Sequence, residues 1–253
     1  MIRSKTRRHL ALGALALGLG GSAQAWSWGN AERVDGNGEP VSESRTPGGF
    51  EAIRLSGNFK LKVRQAGADT LEITADKNLL PYIETRVVES KGGHKTLEIA
   101  PKSGYRLSSR QPVQINVGML VLRRLAVDGS GDVRVEGMKT PRLEVAVAGS
   151  GDVLLSEFFG EEASFSVAGS GDIQAQGRVN ALKVSVAGSG DVKAAELAAD
   201  EVRVSVAGSG DVQVQANKQL KASIAGSGDV RYRGSAQVSS SVAGSGTVKP
   251  LTR

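Results

Sequence analysis

Six aspartates recur at nearly constant spacing in the second half of the chain, and such a row of carboxylates could do chemistry. Each aspartate directly follows the tripeptide Gly-Ser-Gly, and a seventh Gly-Ser-Gly is followed instead by Thr247. Carboxylates bind Ca²⁺ in many proteins, and pairs of them act as general acid and base in glycoside hydrolysis. The aspartates are Asp132, Asp152, Asp172, Asp191, Asp211 and Asp229.

Calcium binding is the weaker of two interpretations of this row. Calcium-binding β-roll repeats read Gly-Gly-x-Gly-x-Asp, with one residue between the last glycine and the aspartate. Here the aspartate follows glycine directly, so the ligand geometry of those repeats does not transfer. The spacing favours a structural role, in which each carboxylate accepts backbone N–H groups of its turn. The same six aspartates remain the candidate calcium ligands.

Basic residues accompany the aspartates. Carboxylates about 4.8 Å apart in stacked coils would repel by about 0.9 kcal/mol per neighbouring pair in water. Arg134, Lys193 and Arg231 each lie two residues after an aspartate, and therefore on the same side of a strand. We expect these cations to offset part of the repulsion, so that the row does not require a metal.

Catalysis by this row would require one repeat to differ from the others, because an acid and a base need environments that separate their pKa values. No regular repeat carries such an exception. His94 lies in Gly92-Gly93-His94-Lys95, which is typical of a solvated surface turn. The sequence has no Ser-His-Asp motif and no phosphate-binding loop. We therefore predict no catalytic residues and no cofactor.

The Gly-Ser-Gly tripeptides recur every 18 to 20 residues, which is the signature of a solenoid. Around each of them β-branched and polar residues alternate, as Leu143, Val145 and Val147 do before Gly149, and this period of two indicates strands. Strands that recur once per coil stack in parallel. We predict an all-β fold, a single-stranded parallel β-helix with coils of about 18–20 residues.

The corners of this solenoid are expected at the tripeptides themselves. Both glycines of each tripeptide are expected to allow positive φ. The serines between them are expected to form a row of hydroxyls that bond to one another. The first glycines of the seven corners are Gly129, Gly149, Gly169, Gly188, Gly208, Gly226 and Gly244.

The outward positions before each corner form a second candidate site. One row along successive coils is mostly basic, and the adjacent row consists of small residues. We expect this flat face to bind an envelope polysaccharide or a protein partner, because a flat parallel sheet is rarely left uncovered. The alternative is an ordinary solvated surface. The candidate binding residues are Lys183, Arg203 and Lys221, together with Ser185, Ser205 and Ser223.

The first 25 residues have the pattern of a secretory signal peptide. Basic residues precede an apolar run at 10–19, and Ala23-Gln24-Ala25 supplies a small-residue cleavage pattern. The apolar run is shorter than the roughly 20 residues that span a bilayer. Cleavage would remove four basic residues and lower the net charge from +6 to +2 (6 − 4), so the charge does not predict binding to nucleic acid. The chain has no cysteine, so stability must come from packing without disulfides.

The rest of the chain divides by regularity. Residues 26–49 are rich in glycine, proline and serine and are expected to be irregular. Trp26 and Trp28 are expected to cover an end of the solenoid, or to contact a ligand. Residues 50–118 are expected to form less regular coils, with Gly57 at an early corner. Residues 119–253 are expected to form the regular ones.

Several segments of residues 50–253 match a known family. They are Phe50-Glu51-Ala52-Ile53 with Leu55-Ser56-Gly57-Asn58-Phe59, then Ala75-Asp76-Lys77-Asn78-Leu79-Leu80-Pro81-Tyr82-Ile83, and the Gly-Ser-Gly-Asp repeats. The sequence resembles the bacterial family described as "putative auto-transporter adhesin, head GIN domain". The resemblance implies a right-handed β-helix related in shape to pectin lyases, without recognised catalytic residues, and it implies a role in adhesion.

These patterns together predict an exported, non-enzymatic β-helix protein that binds or adheres at the cell envelope through flat solenoid faces. We expect a periplasmic location, with an extracellular one as the alternative, and no membrane span. Three other interpretations stay open: self-association, a polysaccharide-acting enzyme on the same scaffold, and a purely structural module of the envelope.

Overall fold

Strands account for nearly all regular structure in the computed structural model, which describes residues 31–90 and 92–251. The first nine strands are β1 (Glu32–Asp35), β2 (Pro40–Arg45), β3 (Ala52–Gly57), β4 (Lys60–Gln65), β5 (Thr70–Asp76), β6 (Ile83–Glu89), β7 (Lys95–Pro101), β8 (Tyr105–Ser108) and β9 (Gln114–Met119). The remaining strands are β10 (Arg124–Gly129), β11 (Asp132–Glu136), β12 (Arg142–Gly149), β13 (Val153–Phe159), β14 (Glu162–Gly169), β15 (Ile173–Gly188), β16 (Val192–Gly208), β17 (Val212–Gly226), β18 (Val230–Arg233), β19 (Gln237–Gly244) and β20 (Val248–Pro250).

Most of these strands stack in parallel as the coils of a β-helix, which confirms the fold predicted from the repeat. The strands before the corners form a first sheet in the order β7, β3, β10, β12, β14, then the C-terminal halves of β15, β16 and β17, and finally β19. The strands after the corners form a second sheet in the order β9, β4, β11, β13, then the N-terminal halves of β15, β16 and β17, followed by β18 and β20.

The interior between the sheets is filled by the inward rows that the period-two pattern predicts. Leu143, Val145 and Val147 are buried on the first sheet, and Val153 and Leu155 on the second. Burial of one such side chain contributes about 1.5–3 kcal/mol, so every coil adds to the stability of its neighbours. Later coils bury the same positions at Phe165, Val167, Val184, Val186, Val204, Val206, Ala222 and Ile224.

The first coils are stacked in an order that differs from the order of the sequence. β7 and β9 lie on one side of β3 and β4, whereas β10 and β11 lie on the other. The register aligns Gly57 with Gly129, which confirms that Gly57 turns an early corner. Residues 66–123 therefore form the terminal coil of the solenoid on one side of β3 and β4, and the chain then continues on the opposite side with β10.

Antiparallel strands close the solenoid at this end. β6 pairs with β7, β5 with β9, and β2 with β5. The helical element here is one 3₁₀ turn at Leu80–Tyr82, preceded by Leu79, and both leucines are buried in the core. Arg45 of β2 donates hydrogen bonds to the carbonyl oxygens of Ile83 at 2.6 Å and of Leu80 at 3.1 Å, and so ties this cap together.

Two strands lie in the segment that the sequence predicts to be irregular. β1 pairs with β8 and β2 pairs with β5, because pairing with distant strands prevails over the turn-forming composition of residues 26–49. The proposed signal peptide, Trp26 and Trp28 lie outside the described residues. Within the described residues, no helix is long and apolar enough to cross a membrane.

Candidate binding faces of the solenoid

Both glycines of the corners lie close to the preceding coil, and only the first also has a positive φ. The first has a positive φ, as at Gly149 (128°) and Gly208 (135°). The second, such as Gly151, does not, contrary to the expectation. A Cβ at Gly151 would instead overlap the carbonyl oxygen of Gly131 and lie 2.9 Å from Cγ1 of Val127. The second glycine is therefore required by the close approach of stacked coils.

The serines between the glycines face solvent. Their backbone N–H groups bond to the glycine carbonyl of the preceding coil, as Ser150 does to Gly129 at 2.8 Å. None of the seven hydroxyls bonds to another described residue, so the expected mutual bonding of the hydroxyl row does not occur in this part of the chain. Coils lie about 4.8 Å apart, whereas an O–H···O bond needs about 2.7–2.8 Å.

Five of the six aspartates after the corners, all but Asp132, support the next coil through one carboxylate oxygen. Oδ1 of Asp152 accepts the backbone N–H of Asp172 at 3.0 Å. Oδ1 of Asp191 accepts that of Asp211 at 2.9 Å, and Oδ1 of Asp211 accepts that of Asp229 at 2.9 Å. These bonds form a ladder along the solenoid axis. We call the outward side chains after the corners, which include these aspartates, the ladder face.

The second carboxylate oxygen contacts two of the three cations that the sequence places nearby, Lys193 and Arg231, whereas Arg134 forms no ion pair with another described residue. Lys193 Nζ lies 2.9 Å from Oδ2 of Asp172, and this hydrogen bond raises the pKa of Lys193. Arg231 contacts Oδ2 of both Asp211 at 3.4 Å and Asp229 at 3.1 Å. The two oxygens of one carboxylate thus take different tasks, with Oδ1 bound to the backbone and Oδ2 to a cation.

The ladder also bears on the candidate calcium ligands. Among the residues that the structure describes, no group of three or more His, Asp or Glu side chains is arranged to hold a metal ion. Along most of the row Oδ1 already accepts a backbone N–H from the following coil. A cation bound there would have to compete with these donors. Calcium binding by the six aspartates stays the weaker prediction.

A groove of about 650 Å³ runs across the early part of the ladder face. It combines carboxylates with amides and with basic side chains that stack in register, since Asp132 lies beside Lys60, and Arg134 beside Lys62. Lys62 Nζ pairs with Glu136 at 2.8 Å, and this bond lowers the pKa of Glu136. The polar and charged side chains that line the groove include Gln114, Asn116, Asp152, Asp172, Gln174 and Lys193.

A cluster that the sequence analysis missed lies at the start of the first sheet. Glu51 contacts His94 Nδ1 through Oε1 and Arg123 Nε through Oε2, the latter at 2.8 Å. The hydrogen bond from His94 lowers the pKa of Glu51, and the charge of Arg123 adds to this effect. His94 is 70% exposed, as expected for a surface turn, but it is paired rather than only solvated. Glu51 lies in the segment that carries the family resemblance, and this position was the one feature of the sequence that pointed to it.

The candidate binding residues before the corners are brought together as predicted. Lys183, Arg203 and Lys221 align in register on neighbouring strands of the first sheet, and Ser185, Ser205 and Ser223 align in the adjacent row. All three basic side chains are exposed. We call this set of six residues the serine face.

The charges of the serine face are largely available to a ligand. Arg203 Nη2 contacts Oε2 of Glu201 at 3.3 Å, with both side chains about half exposed. Neither Lys183 nor Lys221 forms an ion pair with another described residue. A shallow groove of about 370 Å³ begins beside Lys183 and Arg203 and extends to Glu162 and Arg142. The face therefore presents cations on a surface of small side chains.

The fold and the faces define this protein as a β-solenoid. The family described as "Putative auto-transporter adhesin, head GIN domain" matches residues 49–236, which is more than half of the chain. The chain belongs to this family, as the sequence resemblance indicated. Membership supports an adhesin-like role.

Solved structures of bacterial proteins share the fold. One is described as a "Putative lipid binding protein" from Parabacteroides distasonis, with 29% identity and a TM-score of 0.72 over 87% of this chain and 100% of that one. A "putative adhesin" from Bacteroides fragilis has 23% identity and a TM-score of 0.80 over 86% and 100%. Another from Parabacteroides merdae has 24% identity and a TM-score of 0.66 over 88% and 100%. The last two show the fold alone. A comparison with curated proteins gave no match.

Proposed function

We propose that this protein is exported to the cell envelope and adheres, without catalysis, to an acidic polysaccharide through the serine face. The observation that carries the proposal is the alignment of Lys183, Arg203 and Lys221 in one exposed row of the first sheet. Family membership supports an adhesin-like role, and the apolar run and cleavage pattern within residues 1–25 support export.

The geometry of the row favours a polymer over a small ligand. Successive cations lie about 4.8 Å apart along the solenoid axis, on a sheet whose neighbouring outward side chains are serines. The groove beside Lys183 and Arg203 is shallow and open, whereas pockets for small ligands bury most of the surface of their ligand. An extended chain with repeated negative charges can contact all three cations at once, and each contact adds a modest electrostatic attraction.

The test is a binding measurement with a defined acidic polymer. We expect the purified protein to bind polygalacturonate, with weaker binding at high salt, and not to bind neutral dextran. The triple variant K183E/R203E/K221E should bind at least about tenfold more weakly, since losing about 0.5 kcal/mol per contact gives a factor of this size.

A matched control separates the serine face from the overall charge. The variant K102E/R106E/R110E introduces the same change in charge at exposed residues between β7 and β9. It should bind polygalacturonate nearly as well as the wild type. Equal weakening by both triple variants, or unchanged binding by K183E/R203E/K221E, would contradict the proposal.

Export has its own readout. We expect the protein isolated from the periplasmic fraction of a Gram-negative host to begin at Trp26. An N-terminal sequence that still includes Met1, or a protein confined to the cytoplasm, would contradict this part of the proposal while leaving the binding face to be judged by the polysaccharide measurement.

The ladder-face groove gives one observation in favour of a polysaccharide-acting enzyme. It is concave, and Asp132, Asp152 and Asp172 line it together with basic residues. Incubation with polygalacturonate should nevertheless release neither new reducing ends nor unsaturated products if the protein only binds. Release that is lost in D132N or D152N would favour the enzyme.

A further inference from the structure

The last coil leaves a free strand edge on the first sheet. β19 pairs with β17 on one side, and no other described strand pairs with its second side. Its inward residues Val238 and Val242 are 36% and 41% exposed, whereas Leu220 and Ile224 at the same positions of the preceding coil are 0% and 1% exposed. The open end of the core thus combines exposed valines with unpaired backbone groups.

The direction of these backbone groups follows from the pattern of backbone hydrogen bonds in the first sheet. Outward residues bond back to the preceding coil, as the N–H of Glu144 does to the carbonyl oxygen of Arg123 at 2.9 Å. Backbone groups alternate sides along a strand, so the inward residues Val238, Ser240 and Val242 direct their N–H and C=O groups toward the free edge. These three residues are the ones available to a further strand.

The sequence of this edge is the same in both directions. Residues 238–242 read Val-Ser-Ser-Ser-Val, with Ser240 at the centre. Two copies of β19 related by a two-fold axis at Ser240 would pair in antiparallel fashion, with each Val238 opposite Val242 of the other copy. The three inward positions would form hydrogen-bonded pairs with about six N–H···O=C bonds in total. The four valines would meet over the open core.

The charges around the edge are compatible with a second copy. Residues 234–247 contain no charged side chain, so self-pairing brings no like charges together. Natural proteins protect strand edges with lysine, proline or charge. The neighbouring edge at β20 has both Lys249 and Pro250, but β19 has none of these. The edge that lacks protection is also the self-complementary one.

Stacking of one copy's last coil on another copy's first coil is disfavoured. The edge strand β6 at the opposite end includes the charged residues Glu84, Arg86 and Glu89. The ladder also ends at Thr247, which offers no carboxylate to a further coil. A two-fold contact between identical ends closes after two copies, whereas head-to-tail contacts extend into filaments. The features of both ends thus favour the closed arrangement.

We propose that two copies of this chain associate through β19, with antiparallel pairing about a two-fold axis at Ser240, so that the first sheet continues from one copy into the other. The proposal is independent of the polysaccharide-binding function, since it uses the end of the solenoid rather than the row of cations.

Sedimentation analysis of the purified protein tests the association. We expect the wild type to have twice the mass of one chain over a concentration series. V238K/V242K should have the mass of one chain, because lysines at opposed positions repel each other and cannot be buried. The control V41K/V88K introduces the same charges at two valines that are each 40% exposed, on β2 and β6, and it should remain a dimer.

A cross-link tests the register. The chain has no cysteine, so S240C introduces the only thiol. Opposed residues of a hydrogen-bonded pair lie about 5.5 Å apart between Cα atoms, within the range that disulfides span. On oxidation S240C should form a covalent dimer, and S223C, in an outward position of the preceding coil, should not.

Each outcome decides the matter. A monomeric wild type overturns the proposal, as does a dimer that V41K/V88K disrupts and V238K/V242K does not. A dimer in which S240C and S223C cross-link to the same extent overturns the two-fold register. If V238K/V242K fails to fold, the wild-type mass and the S240C cross-link still decide between a dimer through β19 and any other arrangement.

Discussion

Thr247 donates both its backbone N–H and its hydroxyl to Oδ1 of Asp229, at 3.0 and 2.8 Å. At the equivalent position of four other coils, only the backbone N–H bonds to the preceding carboxylate, and the donors are Asp172, Asp191, Asp211 and Asp229. The last aspartate of the row therefore receives two donors on one oxygen, and the threonine makes the final bond of the ladder without adding another carboxylate.

This arrangement predicts a change in the titration of Asp229. The bonds from Thr247, and secondarily Lys249, hold the pKa of Asp229 below its ordinary value of 3.8, against the opposing effect of burial. Replacement of Thr247 by valine removes the hydroxyl donor, so the pKa of Asp229 should rise toward 3.8. The measurement is an NMR titration of the side-chain carboxyl carbon. S245A removes an exposed hydroxyl that has no hydrogen-bond partner among the described residues, and it should leave the pKa of Asp229 unchanged.

The sign of the stability effect follows from the lowered pKa. A carboxyl whose pKa is lower in the folded state stabilises the fold above its unfolded pKa, and that contribution is lost as the pH falls through the folded value. The wild type should therefore exceed T247V in free energy of unfolding at neutral pH, and the difference should shrink below about pH 3.8. A difference that grows on acidification would contradict the assignment.

The ladder bonds should contribute to stability within the array. D191A removes the acceptor of the Asp211 N–H and should lower the free energy of unfolding by about 1–3 kcal/mol. D191N keeps an acceptor oxygen and should lose less. S189A, two residues earlier, removes an exposed hydroxyl and should stay within about 0.5 kcal/mol of the wild type. Urea unfolding of the three variants gives the comparison, and equal losses for D191A and S189A would refute the structural role of the carboxylate.

The corners should not tolerate a side chain. G208A combines a φ of 135° with a Cβ that would overlap the carbonyl oxygen of Gly188. We expect a loss of at least about 1–3 kcal/mol, measured by thermal or urea unfolding. Gly67 has no positive φ and open space around a Cβ, so G67A should be nearly neutral. If both variants are equally stable, the corner glycines are not constrained as described.

Arg45 should be required for the cap at the other end. Its guanidinium bonds to the carbonyl oxygens of both Ile83 and Leu80, and R45A would leave these partly buried acceptors without donors. We expect a loss of about 1–3 kcal/mol and faster amide hydrogen exchange in β6. R86A removes an exposed ion pair to Glu98 and should cost less than about 1 kcal/mol. Slow exchange of β6 in R45A would show that the cap does not depend on this residue.

The regular array was predictable because its signals are local. The alternation around Gly149 indicates which side chains point inward, and the fixed period brings equivalent residues into register. The alignment of Lys183, Arg203 and Lys221 follows from the period alone. A carboxylate directly after a glycine corner likewise indicates hydrogen bonds to the backbone. The sequence did not indicate that the N–H donor belongs to the following coil.

The N-terminal half was less predictable because its contacts join distant segments. Nothing near β3 indicates that its partners are β7 on one side and β10 on the other. The contact of Glu51 with His94 and Arg123 depends on this arrangement, so it could not be found from spacing. The second glycine of each corner was interpreted in terms of φ, whereas its requirement comes from the distance to the preceding coil.

The position of β3 and β4 between two coils that come later in the sequence has a consequence for how the chain acquires its structure as it emerges. The strands β3 and β4 gain their neighbours on one side only when residues 95–119 are present, and on the other side only when residues 124–136 are present. Residues 66–123 form a long loop between β4 and β10. Closing this loop costs conformational entropy before the side chains inside the first coils are buried. The later coils need only their nearest neighbours. We therefore expect order to begin in the glycine-cornered array and to spread back toward the N-terminal cap, against the direction of synthesis.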